Sequence, residues 1–211
     1  MKKNVGISYK AFAVILAAVL ILGGTIGGTM AWLIDDTKPV SNVFTDSDIE
    51  ITLNETTEDY KMIPGHTIDK DPKVSVEKGS EDCYLFVKID KSSNYDTYLA
   101  DYAVTDGWND ELGNGVYYRI VKTSDETRKF SLLKSGKYDS LNDGEFTWKD
   151  NQVLVKPEVT KAQMNAIKDG SVDEPTLTFT AYAVQLYKTN GTEFTAEEAW
   201  AKAKRIENNA N

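Results

Sequence analysis

Hydrophobic residues are distributed along this chain in three successive patterns. Ala11 to Leu22 is an unbroken run of twelve apolar residues, preceded by Lys2, Lys3 and Lys10 and followed by the small-residue stretch Gly23 to Ala31. From Trp32 to Thr45 apolar positions are dotted through a polar segment with Pro39 in its middle. Beyond that, short stretches alternate with a period of two, the spacing of half-buried strands. Asp48 to Leu53 places Ile49, Ile51 and Leu53 on one face; Cys83 to Asp90 places Leu85, Val87 and Ile89 on one face and Tyr84 and Phe86 on the other. Val116–Val121, Phe130–Leu133, Glu145–Trp148 and Gln152–Val155 are further strand signals, as are Lys73–Val76 and Trp108, and Thr176–Tyr187 is the longest.

Turns and helix ends punctuate the strands. Pro64-Gly65 has the residues of a type II turn, with proline at its second position and glycine at its third. Glu77–Ser80 is a second turn, Asn109–Gly115 is turn chemistry throughout, and Ser92–Tyr102 has room for a short helix. Thr160-Lys-Ala-Gln163 and Thr195-Ala-Glu-Glu198 are capping boxes. The first has Val159 and Met164 placed as a hydrophobic staple and Gly170 just past the helix end; the second opens a helix with an Ala196, Ala199, Trp200, Ala203 stripe. About eight turn-separated strands and two or three short helices predict a mainly β chain, a jelly-roll-type antiparallel β-sandwich preceded by an N-terminal signal helix. The boundaries expected are a signal peptide at 1–31 and a single domain at 32–211. Segment 32–45 is an edge strand or a donor (assembly) strand.

The N-terminal pattern carries the first functional inference. A basic start, a short apolar run and small residues at Thr29 and Ala31 fit a signal-peptidase site before Trp32. The competing reading is a retained membrane anchor, since Ala11–Ile34 is long enough to span. Interrupting glycines and the acidic Asp35 and Asp36 after the junction favour cleavage. In that case the membrane is touched only through the uncut segment.

Charge narrows the partners. The chain has 24 basic and 33 acidic residues, net −9. Residues 1–31 hold three of the bases and no acid, so residues 32–211 carry 21 basic against 33 acidic. Such a surface argues against nucleic acid or anionic lipid. Cys83 is the single cysteine, so no internal disulfide forms; it enters an apolar strand and reads as a small buried hydrophobe.

The residues Gly27-Gly-Thr-Met-Ala-Trp-Leu-Ile-Asp-Asp-Thr37, Val43-Phe-Thr45 and the alternating strand to Leu53 resemble the start of the TasA/camelysin (CalY) family. Pro64-Gly65, Asp69-Lys-Asp-Pro72, Gly79–Lys88, Thr178–Gln185 and Glu197-Glu-Ala-Trp200 extend that resemblance over nearly the whole chain. Members are exported proteins of Gram-positive bacteria, processed by a SipW-type signal peptidase. The resemblance implies a jelly roll and a secreted or cell-surface role in biofilm-matrix fibres. Trp32, Leu33, Ile34, Val40, Val43 and Phe44 would then be the apolar contacts of a strand given to the next subunit.

The same resemblance raises a metallo-endopeptidase as the alternative, because camelysin is classed as one; a membrane-tethered binding module is a third. His66 is the only histidine, and there is no H-E-x-x-H spacing. Zinc could draw on His66, Asp69, Asp71 or Glu81, and calcium on the acidic pairs, but no spacing demands either metal. No cofactor is therefore expected. Tyr95, Tyr98 and Tyr102 form either core or an exposed contact patch.

Overall fold

Two nine-residue strands with apolar residues on both faces anchor the domain. The computed structural model describes residues 42–45, 48–56 and 61–210; at 42–45 and 207–210 it describes the backbone alone. Signal-peptide residues 1–31 and Trp32 to Val40 of the assembly segment lie outside the described residues.

In chain order the strands are β1 Asn42–Thr45, β2 Ile51–Asn54, β3 Thr67–Asp69, β4 Lys73–Val76, β5 Cys83–Lys91, β6 Ala103–Val104 and β7 Val116–Val121. They continue as β8 Lys129–Ser131, β9 Leu133–Lys134, β10 Gly136–Ser140, β11 Gly144–Trp148, β12 Gln152–Leu154 and β13 Leu177–Gln185. The helices are α1 Tyr95–Tyr98, α2 Lys161–Lys168 and α3 Ala196–Ala210. The chain is thus mainly β, with several antiparallel sheets and three helices among the described residues.

The main sheet has the order β1-β13-β5-β7 and a second has the order β2-β4-β8; β3-β12, β10-β11 and β6-β9 form two-stranded pairs. β5 and β13 run antiparallel in register from Cys83↔Gln185 to Lys91↔Leu177. Alternation sends Tyr84 and Phe86 to one side, where α3 covers them with Ala199, Ala203 and Trp200. The Trp200 ring lies 5.4 Å from Phe86 and, edge-on, 5.1 Å from Tyr182. Leu85 and Val87, both fully buried, face the other way. That side is covered by the second sheet, because β2 lies against β1 and β13 while Phe130 of β8 touches Arg119 of β7. Fully burying one such side chain is worth about 1.5–3 kcal/mol, so a strand covered on both faces holds much of the domain's stability.

Local signals in the sequence fold as their chemistry demands. His66 N–H donates to Ile63 O across the Pro64-Gly65 turn, with Gly65 at φ +75°. Thr160 and Gln163 make the reciprocal capping bonds of α2. Thr195 and Glu198 do the same ahead of α3. Val159 and Met164 are both buried beside the first cap.

Three expectations need correction. The described residues contain thirteen strands rather than about eight. Several have only two or three residues, too few for alternation to show, and β10 (GKYDS) has no apolar repeat to reveal it. Trp108 lies outside any strand; its neighbour Asn109 makes a single bridge to Tyr118. The main sheet is not wholly antiparallel, because β1 runs parallel to β13. Tyr95 and Tyr98 are buried, which decides for core over a contact patch at those two positions.

Candidate functional site

The outer edge of β13 is where the expected assembly strand meets the domain. β1 covers only Thr180 to Ala183, with Val43 opposite Ala181 and Phe44 opposite Tyr182. The other edge of β13 is bonded over all nine residues to β5. Parallel pairing is slightly weaker per residue than antiparallel, and four residues make a short edge strand. The alanines Ala181 and Ala183, fully buried, stand in register with Val43 and Thr45. Of the six expected assembly residues, the structure therefore places Val43 and Phe44 in the chain's own sheet.

A buried ion pair borders this edge. Lys70 Nζ lies 2.9 and 3.0 Å from the two carboxylate oxygens of Glu55, just beyond β2, with both side chains less than a tenth exposed. The same ammonium lies 5.5 Å from the ring centroid of Phe179 in β13. Removing one partner would strand the other charge in a dry site, so the pair ties the end of β2 to the start of β13. Neither residue carries a sequence signal that separates it from the many exposed charges.

The four weak metal candidates do not converge. His66 is exposed, its Nδ1 3.2 Å from Pro64 O. Asp69 accepts from Gln152 Nε2 at 2.8 Å. Asp71 accepts from the backbone and hydroxyl of Thr56, both at 2.8 Å, and pairs with Lys73 at 2.9 Å. Glu81 lines an open depression of about 400 Å³ with Asp82, Thr123, Gln185 and Tyr187. Among the described residues no group of three or more histidines, cysteines or acids is placed to hold a metal ion. Cys83 is fully buried, and burial pushes its thiol up to about 12, so it is not poised as a nucleophile.

Asp71 gives this region a pH signature. Burial pushes its carboxyl up, but hydrogen bonds from Lys73 and Thr56 together outweigh that and hold it at about 2, below the ordinary 3.8. A depressed carboxyl contributes stability that is present above the unfolded-state value and is lost as pH falls towards about 2. Asp71→Asn should therefore lower stability by about 1 kcal/mol at neutral pH, after allowance for solvent screening, and by progressively less below pH 4. Urea denaturation of both proteins across that range checks this. A difference that stays constant with pH would show that the carboxylate charge plays no part.

The architecture and the β1–β13 edge define the chain as a mainly β protein with a short, separable edge strand at its N-terminal side. The chain matches no family model, no curated protein and no solved structure.

Proposed function

We propose that this protein is a secreted structural subunit of a bacterial cell-surface or matrix fibre, with a jelly-roll β-sandwich as its domain. Assembly proceeds by N-terminal strand addition after signal-peptide cleavage. The observation that carries the reading is the mismatch at the main sheet's edge: a four-residue parallel strand shields part of a nine-residue strand. Withdrawing β1 breaks a short ladder and uncovers the β13 edge, which the same segment of a neighbouring copy can refill. Such a contact is heterologous and need not close, so it propagates as a filament. The resemblance of the export junction and strand order to the TasA/camelysin family supports the same reading.

Export controls assembly in this scheme, because the uncut precursor keeps the strand tied to a membrane-inserted segment. The mature N-terminus is expected at Trp32. Ala31→Asp or Thr29→Lys should abolish processing by placing a charge where the peptidase accepts small side chains. N-terminal sequencing and negative-stain microscopy of the exported protein test both halves of the proposal. A full-length, membrane-bound product in wild-type cells would sink the first, and an absence of fibres from correctly processed protein the second.

A further inference from the structure

The opposite edge of the main sheet carries a second feature that neither the core nor the strand exchange uses. Arg119 sits on β7 in register with Leu85, on the face turned towards the second sheet. Its guanidinium lies 3.6 Å from the ring centroid of Phe130 and 5.4 Å from that of Trp108, and those two rings meet edge-to-face at 6.2 Å. Its Nε and the indole Nε1 of Trp108 are both buried without a hydrogen-bond partner. No described residue forms an ion pair or hydrogen bond with Arg119, whereas Lys70, Lys73, Lys88, Lys91, Lys134, Lys137 and Lys188 each have a carboxylate.

A guanidinium held flat against aromatic rings has its plane fixed and its forked edge left to find an acceptor. Gly107 is exposed beside that edge; a Cβ there would come 3.4 Å from a terminal nitrogen of Arg119. The tip of the fork therefore lies under a surface position that has no side chain. A planar carboxylate fits such a fork with two parallel, charge-assisted hydrogen bonds.

The backbone beside it is open in the same direction. On the outer side of β7, Val116 N–H donates to Gly113 O, and Tyr118 exchanges both of its bonds with Asn109. Strand alternation turns Ile120 outward as well, and there no described residue bonds it. The Ile120 side chain is 40% exposed, one of the few large apolar residues so placed. An unpaired strand edge, an exposed isoleucine and a fork lacking an acid thus lie on consecutive residues.

We infer that the outer edge of β7 is a docking surface for a second copy of this chain. It receives an acid-bearing extended segment whose backbone pairs at Ile120 and whose carboxylate is taken by Arg119. Charge complementarity selects the occupant. Residues 119–129 carry four basic against two acidic residues, in a chain whose total is 24 basic against 33 acidic. The rest of another copy is therefore the oppositely charged surface. The inference rests on the self-association proposed above but not on the exchange of β1, which lies at the other edge of the sheet.

Hydrogen exchange at the Ile120 amide, followed against concentration in the exported protein, reads the contact directly. Protection should rise with concentration in the wild type. Arg119→Ala should weaken the association by about tenfold or more, and Arg119→Lys, which keeps the charge but loses the fork, by an intermediate amount. Ile120→Pro is the second variant: it removes an outward N–H that β5 does not use, so the sheet stands while strand addition is blocked. Val43→Asp, which acts on the β1 exchange, should leave Ile120 protection intact, so the two contacts fail separately. Concentration-independent exchange at Ile120, or equal association by Arg119→Ala and wild type, overturns the inference. Protection by added polyglutamate but not by a second copy overturns the choice of occupant.

Discussion

Exported protein lacking residues 32–43 is expected to remain a folded, soluble monomer and to form no fibres. Folding survives because the β5–β13 ladder and the α3 cover contain none of the deleted residues. Assembly fails because the strand that would refill a neighbour's β13 edge is gone. The size of the effect follows from six apolar side chains: burying Trp32, Leu33, Ile34, Val40, Val43 and Phe44 at roughly 1.5–3 kcal/mol each gives on the order of 10 kcal/mol before the entropy of association is charged. A synthetic peptide of residues 32–45 should bind the truncated protein and protect the amides of β13 from exchange. In the intact chain, Val43→Asp should weaken assembly more than folding. Electron microscopy and circular dichroism of the truncated protein decide the matter: if it still polymerises, or cannot fold alone, the strand belongs permanently to its own domain and the exchange mechanism is wrong.

Gly115→Ala should be the most damaging small substitution in the described domain. Gly115 lies just before β7, its carbonyl accepting from Ile89 N at 2.8 Å. Its φ of +72° is in the left-handed region, and an added Cβ would lie 2.4 Å from the Ile89 carbonyl oxygen. The conformational penalty alone is about 1–2 kcal/mol. Because the obstructing atom is backbone of the central strand, it cannot swing away as a side-chain tip would. A total loss of about 3–5 kcal/mol is expected, enough to lower Tm by about 10 °C in a domain of this size. Gly113 in the same turn is the control. It also has positive φ, +65°, but nothing lies within 4 Å of its added Cβ, so Gly113→Ala should cost only the conformational part. Equal losses at the two positions would show that contact with Ile89 is immaterial.

What the sequence determined by itself is whatever acts over a few residues. Thr160 and Gln163 cap a helix because a hydroxyl and an amide three residues apart reach each other's backbone N–H, and Thr195 and Glu198 repeat the device. Pro64 and Gly65 carry the dihedral preferences of their turn within their own covalent structure. The alternation of Cys83–Asp90 assigns Leu85 and Phe86 to opposite faces whatever packs there, and the Ala199, Trp200, Ala203 stripe requires an apolar surface to lie on. What only the tertiary structure decided depends on register between distant segments. Asn42 stands beside Thr180, and nothing local to either fixes that pairing or its parallel sense. Lys70 and Glu55 resemble any exposed charges until the approach of β13 buries them. Arg119 did leave one trace, as a charge on the strand face shared by Tyr117 and Val121. That position becomes a binding fork only when Phe130 and Trp108, remote in sequence, close around it and no acid accompanies them. Short-range signals survive in the one-dimensional chain because their partners are covalently near; an edge, a buried pair or an unsatisfied donor is a property of what remains after every other segment has been placed.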